Sequence, residues 1–388
     1  MMLGFLLARA GVDTVVLEKH GDFLRDFRGD TIHPSTLELI HELGLLDEFL
    51  KLPHQKAESL RGQFGRFSAQ FADFSHLPAH CRFIVLMPQW NFLNFLAEHG
   101  RRYPGFNLRM QANVTDLIED GGRIVGVRGT GSDGPFDIRA DLVVGADGRH
   151  SVVRAKAGLS AEELGAPMDV LWFRLPRRPS DADETMGIFE TGRILVMIDR
   201  GDYWQCGYVI AKGSRAELER HGIGALRDDV ARIAPFAADR VDTIRGWDDL
   251  KTLTVTVDRL RRWHRPGLLC IGDAAHAMSP IGGVGINLAV QDAVAAANVL
   301  AVPLRARRVT EAKLRQVQKR RELPARVTQR LQLTVQNRVI SPLLRRTDEI
   351  TEPPLALRLL RRFPVLRRIP ARLVGMGIRP EHVRSPAV

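Results

Sequence analysis

The sequence predicts an α/β protein in which a βαβ-type domain lacking its first strand is interleaved with a mostly antiparallel β-sheet domain and followed by a helical C-terminus. Three observations carry this reading. The chain opens on the second half of a βαβ unit, a buried strand near residue 270 ends in Gly-Asp and leads through glycines into a helix, and the stretch between alternates as antiparallel strands do. At 388 residues, 45% hydrophobic and 26% charged, the chain is long enough for two or three structural units and a sizeable core.

Residues 1–10 form an apolar helical pattern closed by Gly11, and Asp13-Thr14-Val15-Val16-Leu17-Glu18 reads as a short buried strand ending on an acid. In a dinucleotide-binding unit that acid follows the glycine-rich turn by roughly 20 residues and accepts the ribose hydroxyls. Counting back from Glu18 places the turn, with its G-x-G-x-x-G, ahead of Met1. A start at an internal methionine, a truncated gene, or a chain that does without the loop would each explain this. The first is favoured, because a parallel sheet without its central strand leaves its neighbours' backbone groups unpaired.

Pro34 and Ser35 then open a helix that Gly44 closes, and a second helix is expected over residues 89–99 after Pro88. Residues 63–83, rich in Phe and His, read as an irregular region near a substrate cavity. Residues 107–129 alternate as a hairpin about Asp120-Gly121-Gly122. The run Asp141-Leu142-Val143-Val144-Gly145-Ala146-Asp147-Gly148 is a buried strand with a polar end. From 169 to 210 the pattern is β, as a separate sheet, and after Leu268 the chain returns to the first domain. The expected boundaries are a nucleotide-binding domain in three parts (1–70, 89–160 and 263–332), a substrate-domain segment at 71–88, a substrate sheet at 161–262, and a helical basic tail at 333–388.

The strongest chemical signal runs from Gly267 through Gly272-Asp273 and Ser279-Pro280-Ile281-Gly282-Gly283-Val284-Gly285 to Ile286-Asn287, and continues through Ala289, Gln291, Asp292 and Ala293. Its glycines bring backbone close to a ligand just before a helix starts. The helix's free N–H groups and positive dipole end suit a group that becomes negative on gaining electrons, as a reduced flavin ring does. Asp273 is placed to accept hydrogen bonds from sugar-alcohol hydroxyls.

This block resembles the Gly-Asp flavin motif of the class A flavoprotein monooxygenases, the group typified by para-hydroxybenzoate hydroxylase. Residues 141–154, with Asp147-Gly148, are similar to that family's Asp-Gly motif, which is associated with FAD and NAD(P)H binding. The resemblance runs from Met1 to about Gln332. It implies an FAD-binding domain with Glu18, beside Lys19, on the adenosine ribose. Arg28 and Gln89 would approach the phosphate and ribityl parts, the backbone of Val114 the adenine, and Asp273 the ribityl chain. Asp147 would lie in the Asp-Gly motif, and Pro280, Gly283, Gly285, Ile286 and Asn287 would line the flavin ring. The implied activity is hydroxylation of an aromatic or other apolar small molecule: NADH or NADPH reduces the flavin, and O2 yields a C4a-hydroperoxide that transfers its distal oxygen. The alternatives are a same-fold flavin reductase or dehydrogenase that does not activate oxygen, or a truncated non-catalytic remnant. No catalytic side chain is singled out; His33, His76 and His80 are candidates by location only.

Other chemistries lack their signatures: there is no P-loop, no H-E-x-x-H helix, no G-x-S-x-G elbow and no paired metal-ligand spacing. The +11 formal charge comes without a nucleic-acid module, so no nucleic-acid partner is expected. Cys81, Cys206 and Cys270 are far apart in apolar surroundings and read as core thiols of a reduced, cytoplasmic protein; neither a signal peptide nor a bilayer-length apolar stretch is expected. In the tail, residues 355–372 mix apolar side chains with six arginines. One reading is a basic amphipathic membrane anchor. The preferred one is a helix packed on its own protein or on a partner subunit, since Pro364 and Pro370 interrupt any long helix.

Overall fold

The computed structural model describes the chain except for residues 25–30, 182–184, 349, 351 and 353. Helix α1 (Met2–Arg9) is followed by strand β1 (Thr14–Leu17), and Gly11 between them takes φ of +74°. The helix lies close on the strand because Gly4 lacks a side chain: a Cβ there would sit 2.4 Å from Val16 Cγ2. Next come α2 (Pro34–Glu42), closed by Gly44 at φ +72°, and the strands β2 (Ser59–Phe64) and β3 (Phe67–Asp73). Helix α3 (Gln89–Gly100) leads to β4 (Phe106–Arg109), which pairs in parallel with β1.

Strands β5 (Asn113–Asp120), β6 (Arg123–Gly131) and β7 (Gly134–Arg139) form an antiparallel meander. Its first turn uses Gly121 and Gly122, both at positive φ. Strand β8 (Val143–Gly145) is followed by helix α4 (Val152–Lys156).

The second layer holds β9 (Met168–Pro176), β10 (Met186–Glu190), β11 (Arg193–Asp199) and β12 (Tyr203–Ala211), then α5 (Arg215–Ile233) and β13 (Lys251–Leu253). These strands build a seven-stranded sheet in the order β13-β9-β12-β11-β10-β2-β3. Its side chains alternate with period two. Leu171, Phe173 and Leu175 enter a core with Leu226, Val230 and Ile233 of α5, while Val170 and Trp172 face the other way, into a cluster that includes Ile281.

Two expectations need correction here. The substrate sheet does not begin at residue 71: β2 and β3 already belong to it, and of the stretch 63–83 expected to be irregular the part up to Asp73 lies in a hairpin turning at Gly65 (φ +53°), while residues 74–83 form neither helix nor strand. Phe64 of this stretch serves packing, stacking on Phe189 at 4.3 Å.

The chain then re-enters the first layer through β14 (Leu268–Cys270), parallel to β8, and α6 (Gly285–Arg305). The second correction lies here: Ile281–Arg305 is long and apolar enough to cross a bilayer, although 67% of that window is buried inside the molecule, as befits a core helix. Its neighbours in that core include Leu6, Ile40, Phe92 and Leu269. Helices α7 (Glu311–Val335), α8 (Leu355–Arg362) and α9 (Arg368–Gly375) complete the chain, the last two resting on β3. All three cysteines are buried and free.

Candidate active site

The parallel register of β8 on β14 sets Gly145 opposite Cys270, and Ile271 N–H donates to Gly145 O at 3.0 Å. The two motifs noted in the sequence therefore emerge side by side at the carboxyl ends of adjacent strands, where ligands of open α/β sheets bind. Gly272 turns the chain with φ of +59°, and Asp273 follows, half-buried. Burial pushes the Asp273 carboxyl above its ordinary range, opposed by Arg149, whose Nη2 lies 3.5 Å from Oδ2.

Asp147 has a different task. Its carboxylate accepts the Ser151 hydroxyl at 2.5 Å and the Val153 N–H at 3.2 Å, while Ser151 Oγ caps α4 by accepting from Arg154 N–H. The Asp-Gly motif is thus fastened by its own side chains.

The glycine loop closes against residues 31–36. Gly282 and Gly283 have φ of +75° and +61°, and a Cβ on Gly283 would fall 2.2 Å from Thr31 Oγ1. Thr31 Oγ1 donates to Gly283 O at 2.9 Å. Asn287 is fully used: Oδ1 accepts from His33 N–H and Thr36 Oγ1, both at 2.8 Å, and Nδ2 donates to Thr31 O and Gly283 O. Among the described residues no side chain caps the 21-residue helix α6, so its first amides, at Gly285, Ile286 and Asn287, open toward the loop beside Pro280.

Behind the loop lies a buried polar network. Asp292 Oδ2 accepts from Gly272 N–H at 3.0 Å and from His276 Nε2 at 2.6 Å, and Oδ1 accepts from Arg321 Nε at 2.9 Å. Burial works against its charge, yet His276 and Arg321 hold the Asp292 carboxyl below the usual range. Because a carboxylate only accepts, His276 carries its proton on Nε2, leaving Nδ1 buried without a partner among the described residues. Arg321 also meets Glu381 at 3.5 Å, and Glu381 binds Arg320 at 2.7 Å.

The remaining expected residues are more dispersed. Glu18 follows β1 and accepts His20 N–H at 3.0 Å, Lys19 is exposed, Gln89 opens α3, and Val114 lies on β5. Arg28 lies outside the described residues. Of the histidines, His76 and His80 are engaged at the surface with Arg368 and Glu38. His33 is buried, donates from Nδ1 to Val374 O at 2.8 Å, and has Nε2 buried without a partner; burial lowers its pKa to about 4. Sequence reasoning missed Arg149 and the roles of Asp292, Arg321 and Glu381. Arg149 directly follows the Asp-Gly pair, a signal that was available; the Arg321 and Glu381 partnership has no local signature.

These features fit a flavin dinucleotide: an uncapped helix start behind glycines that leave no room for side chains, and an acid for hydroxyls at the adjoining strand end. Residues 1–331 match the family model described as FAD binding domain. A 6-methylpretetramide 4-monooxygenase of Streptomyces rimosus is 34% identical over 391 residues, 99% of this chain and 91% of that protein. A para-nitrophenol 4-monooxygenase of a Pseudomonas strain is 25% identical over 302 residues, 76% of this chain and 73% of the relative. Other relatives are longer, the chain spanning 61% of a dialkyldecalin synthase of Streptomyces rugosporus. The fold is shared with the anhydrotetracycline hydroxylase OxyS of Streptomyces rimosus, with a TM-score of 0.74 and 24% identity over 98% of this chain and 74% of that one. The chain belongs to the FAD-dependent monooxygenases of the class A aromatic hydroxylase family.

Proposed function

We propose that the chain hydroxylates an electron-rich, fused-ring phenolic substrate, consuming one NADH or NADPH, one proton and one O2 and releasing NAD(P)+ and water. The observation that carries this is that Ile281, in the loop joining the Asp273 turn to α6, packs in one cluster with Val170 and Trp172 of the seven-stranded sheet. The first-named relative, which shares nearly the whole chain, is a monooxygenase of 6-methylpretetramide, and this supports the substrate class. When bound, FAD would supply hydride acceptance from NAD(P)H and activation of dioxygen, the route the sequence resemblance implies.

The residues of this chain would bind and orient. Asp273 would hold ribityl hydroxyls, with Arg149 keeping its carboxylate charged. Glu18 and Lys19 would meet the adenosine ribose, with Val114 at the adenine, Gln89 toward the ribityl part and Arg28 toward the phosphates. The amides of Gly285, Ile286 and Asn287 would face the part of the ring that gains negative charge. Trp172, given room by Gly207 beneath its ring, would form an aromatic wall for the substrate. The cytoplasm, where NAD(P)H is maintained, is the expected setting.

The test is twofold. Purified chain is titrated with FAD and its visible spectrum recorded; then NAD(P)H oxidation is followed with and without polycyclic phenols under labelled O2. Label in the product supports the reading. Oxidation that yields only peroxide or reduced flavin with every phenol would assign the chain to flavin reduction.

A further inference from the structure

The arm formed by α8 and α9 carries a surface that the flavin chemistry does not use. Its inner side is packed: Leu357, Ala371 and Met376 are buried, the last two in a cluster with Ala72, Phe74, Leu77 and Ile198. Arg367 ties it further, donating to Gln70 on β3 at 3.1 Å. This matches the expected packing on its own protein. The outer side is left partly open among the described residues. Leu355, Leu359, Phe363, Val365, Ile369 and Leu373 are 69%, 45%, 49%, 59%, 58% and 37% exposed. They are six of the sixteen exposed large hydrophobics among the described residues, gathered in 19 positions, whereas scattered ones would need no explanation.

Arginines are interleaved with them at helical spacing: Leu355, Arg358, Leu359 and Arg362 share one stripe of α8, and Ile369, Arg372 and Leu373 one stripe of α9. No Asp or Glu occurs from 355 to 375. Arg358 pairs with Glu352 and Arg368 bonds His76, but Arg361, Arg362 and Arg372 have no anionic partner among the described residues.

We propose that α8 and α9 form a docking surface for an anionic lipid bilayer, the apolar side chains entering the headgroup boundary and the arginines meeting lipid phosphates. Charge decides the occupant. In a two-fold contact a second copy would bring the same acid-free stripe against itself, arginine facing arginine. A soluble polyanion would satisfy the arginines and leave the apolar stripe in water. Only an anionic interface answers both. The arm also touches the flavin loop: Val374 accepts the His33 Nδ1–H through its carbonyl oxygen and lies beside Gly282. Docking would therefore hold the loop side of the molecule near a bilayer, a reservoir of apolar substrate.

The experiment is flotation of the FAD-supplemented full chain with vesicles of phosphatidylcholine, alone or with a third phosphatidylglycerol, at low and high salt. Binding to the anionic vesicles only, weakened by salt, is expected. Each of Arg361→Gln, Arg362→Gln and Arg372→Gln should lower partitioning about five-fold. Leu359→Ser with Phe363→Ser should lower it too, with melting unchanged because both positions are exposed. The proposal is overturned if the wild type fails to float with anionic vesicles, if the triple arginine variant floats like wild type, or if the serine variants instead abolish a dimer or leave binding intact.

Discussion

Asp292 is the residue that braces the Gly272-Asp273 turn from behind, through Gly272 N–H and His276. The carboxylate accepts three hydrogen bonds and is fully buried, as is Arg321. In Asp292→Ala, Arg321 keeps Glu381, at 3.5 Å, and the Arg379 carbonyl oxygen, at 3.3 Å, while Gly272 N–H and His276 lose their acceptor. Breaking a buried charge pair costs about 3–5 kcal/mol, and the remaining Glu381 contact argues for the lower end. A chain of 388 residues has an unfolding entropy of roughly 0.8 kcal/mol/K, so about 3 kcal/mol lowers the melting midpoint by about 4 °C. A paired variant separates stability from positioning. Asp292→Leu with Arg321→Met replaces the pair by apolar groups and should recover most of the lost stability, leaving Glu381 bonded to Arg320. It cannot restore an acceptor for Gly272, so FAD affinity should remain about tenfold or more below wild type. Melting curves and FAD titrations on the three proteins decide the matter. An Asp292→Ala protein that melts within a degree of wild type and binds FAD equally well would show that Asp292 supports neither the fold nor the cofactor site.

Other perturbations act on single parts. Asp273→Ala should weaken FAD binding by about 10- to 100-fold, the worth of a hydrogen bond to a charged group, while apo-protein melting stays near wild type; an unchanged titration would remove Asp273 from the binding set. Gly283→Ala forces a Cβ onto Thr31 Oγ1 at a positive φ, at a cost of roughly 1–3 kcal/mol. It should release flavin on gel filtration, and retention of stoichiometric flavin would show that the loop can move. Trp172→Ala should raise KM for a polycyclic substrate without changing the flavin spectrum, and an unaltered KM would place the substrate elsewhere. In the second core, burial opposes charge on Asp181, but Arg240, Arg178 N–H and Trp204 outweigh it and hold the pKa at about 2, below the usual 3.8. The folded pKa is depressed, so the stabilisation is present above about pH 4 and disappears as pH falls toward 2, worth about 2 kcal/mol. Asp181→Asn should flatten urea-unfolding stability across that window, and a variant with the same acid dependence as wild type would assign it to another group.

How far this was legible follows from what each feature depends on. Helices opened by Pro34 or closed by Gly11 and Gly44, and the hairpin at Gly121-Gly122, obey local rules and appear where the chain spelled them. The flavin loop was legible because it needs backbone conformations that only glycine supplies. The hairpin of β2 and β3 was not, since Phe64 finds its partner in Phe189, 125 positions along the chain. The Asp292 network escaped for the same reason: an acid in an apolar helix reads as an isolated polar residue until α7 and residues 379–381 are folded against it. Arg149 was overlooked because a basic residue after Asp-Gly looks like solvated charge until Asp273 lies beside it.

The loop's side chains are spent on the fold. Thr31, Asn287 and Ser151 all bond to backbone or to one another, and Asp147 to its own helix. In the proposed site, what would remain toward the ligand is backbone amide, one carboxylate and one guanidinium, groups suited to a phosphorylated, hydroxylated cofactor but unable to tell one aromatic substrate from another. In the proposed function, discrimination would reside on the sheet face, where Val170, Trp172 and Val209 lie in one register and pack in one cluster. Because side chains alternate along each strand, a substitution there alters the substrate wall while its neighbours keep their packing on α5. On the proposed reading, cofactor binding and substrate choice would sit on separate elements, and variation in β9 or β12 would redirect one without disturbing the other.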